Sequence, residues 1–361
     1  MNHLKQSMKT SIDKTSFISH FTGFLFILIA LSDILHSKEV VLVSAILSVL
    51  AFLFCFPMKD RKFFSESMLF ILFLIIMSLI NLFFTQNGIG GTLPLLGNLL
   101  LAYIYLRVDN KKVTLWVILA YLITISFISY SLFVLKLPAN DIYEGLSRNH
   151  AGFAVVFWTI FLLFHLKVTY NRFPIIIPLI GLIISFSLFG RTSLIVSGAL
   201  LLIVFFYNFK DNISMRIIVF TIFLVICYYL WLKFGSLLIE GTNFSEGLDT
   251  PRWKLWGIYF QNIDFINFFT GIDLNTLPMY NQFGGNPHNS FIKFHSRVGI
   301  GSIVFIFLFF ISVFKYVIAK QFYIFWLLIL LTTRAFFDSD ILIGNFDFIF
   351  FIITFYWIKT E

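Results

Sequence analysis

Arg191, Arg252 and His288 are the residues whose types and settings invite chemistry. Gly190-Arg191-Thr192-Ser193 separates two apolar runs with almost no loop, which holds a guanidinium at the edge of the hydrocarbon. Arg at the centre of a membrane span costs about 2.5–3.5 kcal/mol on insertion scales, so an ionisable group kept this close to the bilayer is a functional candidate unless it merely snorkels to the interface. Arg252 stands near the start of the only long hydrophilic stretch between apolar segments, Gly235 to Asn289, and is followed by Trp253, Lys254 and Trp256. His288 closes that stretch in Gly284-Gly285-Asn286-Pro287-His288-Asn289-Ser290. Plainer roles exist for both: Arg252 and its tryptophans suit an interfacial anchor in an aromatic belt, and His288 suits a capping or interface histidine.

Further polar groups fall on the same side of the spans: Arg148-Asn149-His150, Lys254, Asn289, Lys293, Arg297 and Arg334. Cations dominate this set. Fixed guanidinium groups at a cleft suit an anionic ligand such as a phosphate or pyrophosphate, which Arg grips through its planar fork. An imidazole titrates near neutrality and can take a proton from an attacking hydroxyl. Asp338-Ser339-Asp340 has the form of a paired-carboxylate cation site, but so short a triplet arises by chance and commonly caps a helix, so no metal is expected. There is no phosphate loop, dinucleotide glycine fingerprint, zinc-protease helix or paired-cysteine motif, so no cofactor is expected either.

The elements that must position these groups are membrane helices. The chain has 361 residues, 59% of them hydrophobic and 12% charged, with a mean hydropathy of +0.92, well beyond a soluble domain. Apolar windows of span length number about twelve, near 17–35, 40–57, 67–84, 89–106, 113–135, 151–168, 173–189, 191–207, 215–234, 293–314, 321–337 and 341–358. The spacing predicts an all-α polytopic protein: one integral membrane domain over 1–361, with a large extracytoplasmic loop at 235–292 between the ninth and tenth helices. Gly88, Gly90, Gly91, Pro94 and Gly97 leave the fourth window open as a plain span, a kinked one or a re-entrant segment. Ser290 is expected to cap the tenth span, which would set His288 at its N-terminus.

Met1 to Ser16 is polar, with Lys5, Lys9 and Lys14, and reads as a cytoplasmic start without a cleavable signal. Most Lys and Arg then fall in short inner loops, which fixes a multi-pass orientation with both termini cytoplasmic. The net charge of +8 therefore reports orientation and implies no nucleic-acid partner. Cys55 and Cys227 lie inside predicted spans, so no disulfide framework is implied. The 50 Phe residues read as lipid-facing and core-filling groups.

Three motifs together resemble the O-antigen ligase and O-antigen polymerase superfamily: Gly190-Arg191-Thr192-Ser193, Pro251-Arg252-Trp253-Lys254-Leu255-Trp256 leading to Gly271, and Pro287-His288-Asn289-Ser290-Phe291 before Gly299 and Gly301. The resemblance runs over roughly Arg148 to Phe310 by motif, and over the whole chain by span number and the single large outer loop. It implies a metal-independent glycosyltransferase at the outer face of the bacterial inner membrane, acting on an undecaprenyl-pyrophosphate-linked oligosaccharide among membrane lipid, with a chain-length regulator protein as a partner. Arg191, Arg252 and His288 would be catalytic. Arg148, Asn149, Lys254, Asn289 and Arg334 would bind substrate, an expectation drawn from their location alone. The polymerase branch is favoured by the compact loop, the ligase that passes finished chains to lipid A core is its close alternative, and a lipid-linked glycan flippase is disfavoured because Lys and Arg avoid the span centres.

Overall fold

Long apolar runs broken by short polar links leave the backbone one way to satisfy its hydrogen bonds in hydrocarbon, the helix. Every regular element among the described residues is helical. The computed structural model describes residues 2–55, 89–144, 148–240, 251–338 and 344–360, with residues 72, 75–77, 79–80, 83, 146 and 342. From the amino end the helices are α1 (Asn2–Ile34), α2 (Lys38–Cys55), α3 (Ile89–Arg107), α4 (Asn110–Ser129, continued by a π turn over Tyr130–Val134), α5 (Arg148–Tyr170), α6 (Ile176–Ser187), α7 (Arg191–Asn208) and α8 (Ile213–Glu240). There follow α9 (Pro251–Gln261), α10 (Phe265–Thr270), α11 (Ser290–Val298), α12 (Ile300–Ile318), α13 (Phe322–Phe336), α14 (Asp347–Phe355) and α15 (Trp357–Thr360).

Five of the described stretches are long and apolar enough to cross a membrane: Ser16–Ile34, Asn110–Val134, Arg148–Tyr170, Arg191–Asn208 and Ile300–Ile318. Shorter apolar helices cover Leu93–Arg107, Ile176–Ser187, Ile213–Val225 and Phe322–Phe336. The expected window at 67–84 falls mostly outside the described residues, as do Ser339 and Asp340 of the acidic triplet.

Two sequence expectations change, and one left open is narrowed. The window at 293–314 is not one span, because Gly299 adopts φ 51° and ψ −127° and separates α11 from α12. The fourth window is a single helix with Pro94 inside it, and the Asn98 side-chain amide donates to the Pro94 carbonyl at 3.1 Å. The large polar stretch also begins later than its composition suggests, since α8 continues helical through Glu240.

The chain folds as two compact units. The first comprises Met1–Ile123, Leu255–Gln321 and Ala335–Glu361. Here α3 packs on α2 and α14, and α12 packs on α14, α10 and α11. Gly97 lets α3 approach α2 so closely that a Cβ there would stand 2.5 Å from the Ala45 Cα, the small-residue contact that membrane helices use in place of a hydrophobic drive. Phe348, Phe350 and Phe351 of α14 are fully buried, with Phe26 stacked on Phe348 and Phe305 edge-on to Phe351.

The second unit comprises Thr124–Lys254 and Phe322–Arg334, built around α5. From Ala151 to Phe164 every residue of α5 is buried, which is how a helix hydrophobic all round must be used. Gly152 admits Ser193 of α7, where a Cβ would meet the Ser193 Oγ at 2.4 Å, and Gly181 of α6 lies against Thr159. At the far end of α5, Lys167 is buried and donates to Asn171 and to the Tyr207 hydroxyl, with its ammonium over the Tyr207 and Tyr323 rings.

Candidate functional site

In the second unit, the starts of α5 and α7 and the end of α13 meet. Arg148 is the first residue of α5 and Arg191 the first of α7. Both are half-buried. The Gly152–Ser193 contact joins these helices one turn in, and a Cβ on Gly190 would lie 4.0 Å from the Asn149 Oδ1. Arg334, 2% exposed, donates from Nη2 to the Asn149 carbonyl at 2.8 Å and stands over the Phe153 ring at 5.7 Å. The structure thus joins Asn149 to Arg334 and sets Gly190 beside Asn149, so Arg148 and Arg191 open neighbouring helices.

The charge at the start of α7 runs against ordinary helix practice. Helix N-termini carry partial positive charge, so a cation there is unfavourable by about 0.3–1 kcal/mol and an anion is welcome. Several helices end on the favourable charge, with Arg107, Lys167, Arg297, Lys315 and Arg334 in their last turns, whereas α4 opens with Lys111 and Lys112 and α8 with Arg216, without an acid in the first turn. In the same way α7 begins with Arg191, has no acidic residue in its first turn and receives no side-chain cap from Gly190. Arg148 likewise opens α5 without an acid in the first turn, although the Asn140 Oδ1 accepts from its backbone N–H at 3.1 Å. Arg252 and Lys254 repeat the pattern in the first turn of α9, Arg252 half-buried and Lys254 exposed. Such an arrangement suits an anion bound at helix starts.

The first unit holds His288 and Asn289, together with the later turns of α9. Leu255, Trp256, Tyr259, Ile272, Leu274, Leu277, Tyr280 and Ile292 form a buried apolar cluster there. Trp256 is core and not a belt residue, since it is 8% exposed and its indole N–H donates to the Pro287 carbonyl at 2.9 Å. The Tyr280 hydroxyl donates to the Leu255 carbonyl at 2.9 Å. These two bonds tie α9 to the turn that carries His288.

His288 is half-buried and has φ 51°, a left-handed conformation uncommon outside Gly, Asn and Asp. Its backbone N–H donates to the Asn286 Oδ1 at 2.8 Å, and its ring lies edge-on to Phe283. Residues held in strained conformations concentrate at functional sites. The expected capping residue needs correcting. Asn289, not Ser290, caps α11, accepting from the Phe291 and Ile292 N–H groups at 2.9 and 3.1 Å. Asn accepts through a side chain one bond longer than that of Ser, and Ser290 is instead buried with its hydroxyl donating to the Asp338 carbonyl at 2.7 Å. The helix so capped is the short α11, so His288 precedes a nine-residue helix and not a span.

His295 escaped the sequence reading, although it follows His288 by seven residues, two helical turns. It is 9% exposed and lies between three elements. Its Nε2 is 3.2 Å from the Phe268 carbonyl of α10, and its Nδ1 is 2.6 Å from the Tyr259 hydroxyl of α9. A carbonyl only accepts, so Nε2 carries the hydrogen and Nδ1 accepts from Tyr259. Burial pulls the imidazole below its ordinary value of 6.5, with the Phe268 bond opposing, and burial pushes the Tyr259 and Tyr280 hydroxyls well up. Because the unfolded chain binds this proton first, stability is full above 6.5 and is lost as pH falls from there toward the lower folded value. The unfolding midpoint of the detergent-solubilised protein is expected to drop over that window, and His295→Gln to flatten the drop. An unchanged slope in the variant would remove His295 from this role.

No family model, no curated protein and no solved structure matches the chain.

Proposed function

We propose that this chain is a metal-independent membrane glycosyltransferase that joins undecaprenyl-pyrophosphate-linked oligosaccharide repeat units into a polysaccharide at the outer face of a bacterial inner membrane. The observation that supports this most directly is the start of α7, where Arg191 opens the helix and the preceding Gly190 lies beside Asn149, the neighbour of Arg148 at the start of α5. Those groups, with Arg252, are suited to the diphosphate of the donor. In the reaction the acceptor hydroxyl oxygen bonds to the anomeric carbon as the bond from that carbon to the pyrophosphate oxygen breaks. The lipid pyrophosphate leaves with the electron pair, and the hydroxyl proton passes to His288. Arg191 and Arg252 hold the negative charge that grows on the leaving group. Arg148, Asn149 and Lys254 contact the substrate, while Arg334 and Asn289 act through Asn149 and through the start of α11.

The test is purified protein in liposomes given lipid-linked repeat units, with products resolved by gel. A ladder of polymer supports the reading. Transfer only when lipid A core is added would make the protein a ligase, and no glycan transfer in either case would end the proposal. His288→Asn separates chemistry from backbone strain, because Asn tolerates a left-handed φ but supplies no base. A positioned base contributes about 10²–10⁴-fold, so this variant is expected to keep its fold and lose about 10²-fold or more in rate. Retention of full rate would remove His288 from proton transfer.

A further inference from the structure

The loop region around α9 and α10 leaves large apolar side chains in the open. Trp253 and Phe260 lie on the face of α9 away from its buried Leu255, Trp256 and Tyr259, 51% and 62% exposed. On α10, Phe265, Ile266 and Phe269 are 80%, 59% and 42% exposed. A Phe or Ile moved fully from water into an apolar phase gains about 1.5–3 kcal/mol. Water is therefore a poor neighbour for this surface.

Nor is α10 loosely held. Asp264 caps it, accepting from the Asn267 N–H, and the Phe268 carbonyl receives the Nε2–H of His295. The Phe269 carbonyl presses on Gly299 so closely that a Cβ there would stand 2.0 Å from its oxygen. Gly299 immediately precedes α12, a span whose exposed Ile303, Phe307, Phe310 and Phe314 form one helical stripe. In a bilayer that stripe faces lipid. Ile303 lies four residues beyond Gly299, about 6 Å along the axis, so α10 is held at the depth where the lipid contact of the span begins. Basic residues also border the patch, with Arg252 and Lys254 flanking Trp253. An apolar face with Trp, edged by cations, is what lies about 5–10 Å into the boundary of headgroups and acyl chains.

We propose that α10 and the outer face of α9 form a wedge embedded in the outer leaflet, with an anionic phospholipid surface as its partner. The inference is independent of the glycosyl-transfer reading, since it rests on exposure, on depth and, for the choice of leaflet, on the orientation expected from the Lys and Arg distribution, and it holds for a protein of any activity. The wedge turns part of the polar stretch into a lipid-seated element fixed to α12 by Gly299 and His295.

The full chain carrying C55S and C227S is labelled with an environment-sensitive fluorophore through Phe265→Cys, Ile266→Cys or Phe260→Cys, each in turn, in nanodiscs of phosphatidylethanolamine and phosphatidylglycerol. Gln282→Cys, at an exposed loop position, serves as the aqueous reference. The expected result is several-fold quenching of the three wedge sites by lipid carrying a shallow acyl-chain nitroxide, with little quenching by iodide, and the reverse at position 282. Iodide quenching of the wedge sites equal to that at 282 overturns the proposal. So does protection from both quenchers with cross-linking between chains at 265, which would show a second copy covering the patch.

Discussion

Arg191→Ala and Arg252→Ala are each expected to lower polymer formation by about 10²–10³-fold, the cost of removing one preorganised donor from a developing negative charge. The double variant should form no detectable chain. Stability supplies the discriminating control. An arginine that acts on the substrate can be lost without loss of the fold, so Arg191→Ala is expected to lose rate while the protein still unfolds cooperatively in detergent. A structural arginine would behave in the opposite way, losing activity only as fold is lost. Arg191→Lys keeps the charge but not the bidentate fork, and an intermediate rate is expected. Wild-type-like chains from a well-folded Arg191→Ala/Arg252→Ala protein would refute both the diphosphate assignment and the function built on it.

Much of the helical build was legible because membrane helices are written in composition. The windows at 17–35, 113–135 and 191–207 match the span-length apolar stretches Ser16–Ile34, Asn110–Val134 and Arg191–Asn208 to within a few residues, since a hydrocarbon slab enforces length as well as type. What stayed hidden was a matter of single residues. Gly299 divides the window at 293–314 because its neighbour is the Phe269 carbonyl, thirty residues away in sequence, and hydropathy carries no record of that contact. Trp253 and Trp256 look alike on paper, yet one faces out and the other donates to the Pro287 carbonyl. Their three-residue spacing puts them on neighbouring helix positions, and only the partner decides which is core. Sequence position puts Asn149 and Arg334 on one side of the spans but carries no record of the bond from Arg334 to the Asn149 carbonyl, which joins residues 185 apart.

The second large effect concerns Gly299. Its φ of 51° is one that side-chain-bearing residues rarely adopt, and the added Cβ of Ala would lie 2.0 Å from the Phe269 oxygen and 2.5 Å from its carbonyl carbon. Backbone strain of this kind costs about 1–3 kcal/mol by itself. The clash adds to it, because the obstructing atoms belong to a capped and hydrogen-bonded backbone that cannot rotate aside. Gly299→Ala should therefore fall among the rare substitutions that destabilise by more than about 4 kcal/mol, and Gly299→Val should yield little folded protein. Gly257 offers the opposite sign, because it lies within α9 and a Cβ added there would meet nothing within 4 Å. Gly257→Ala should stabilise by about 0.4–1 kcal/mol through the unfolded chain. Thermal midpoints of the two alanine variants in the same detergent decide the matter. If Gly299→Ala melts with the unaltered protein, α10 can leave the start of α12 without penalty, and the depth at which its phenylalanines sit is no longer fixed by the fold.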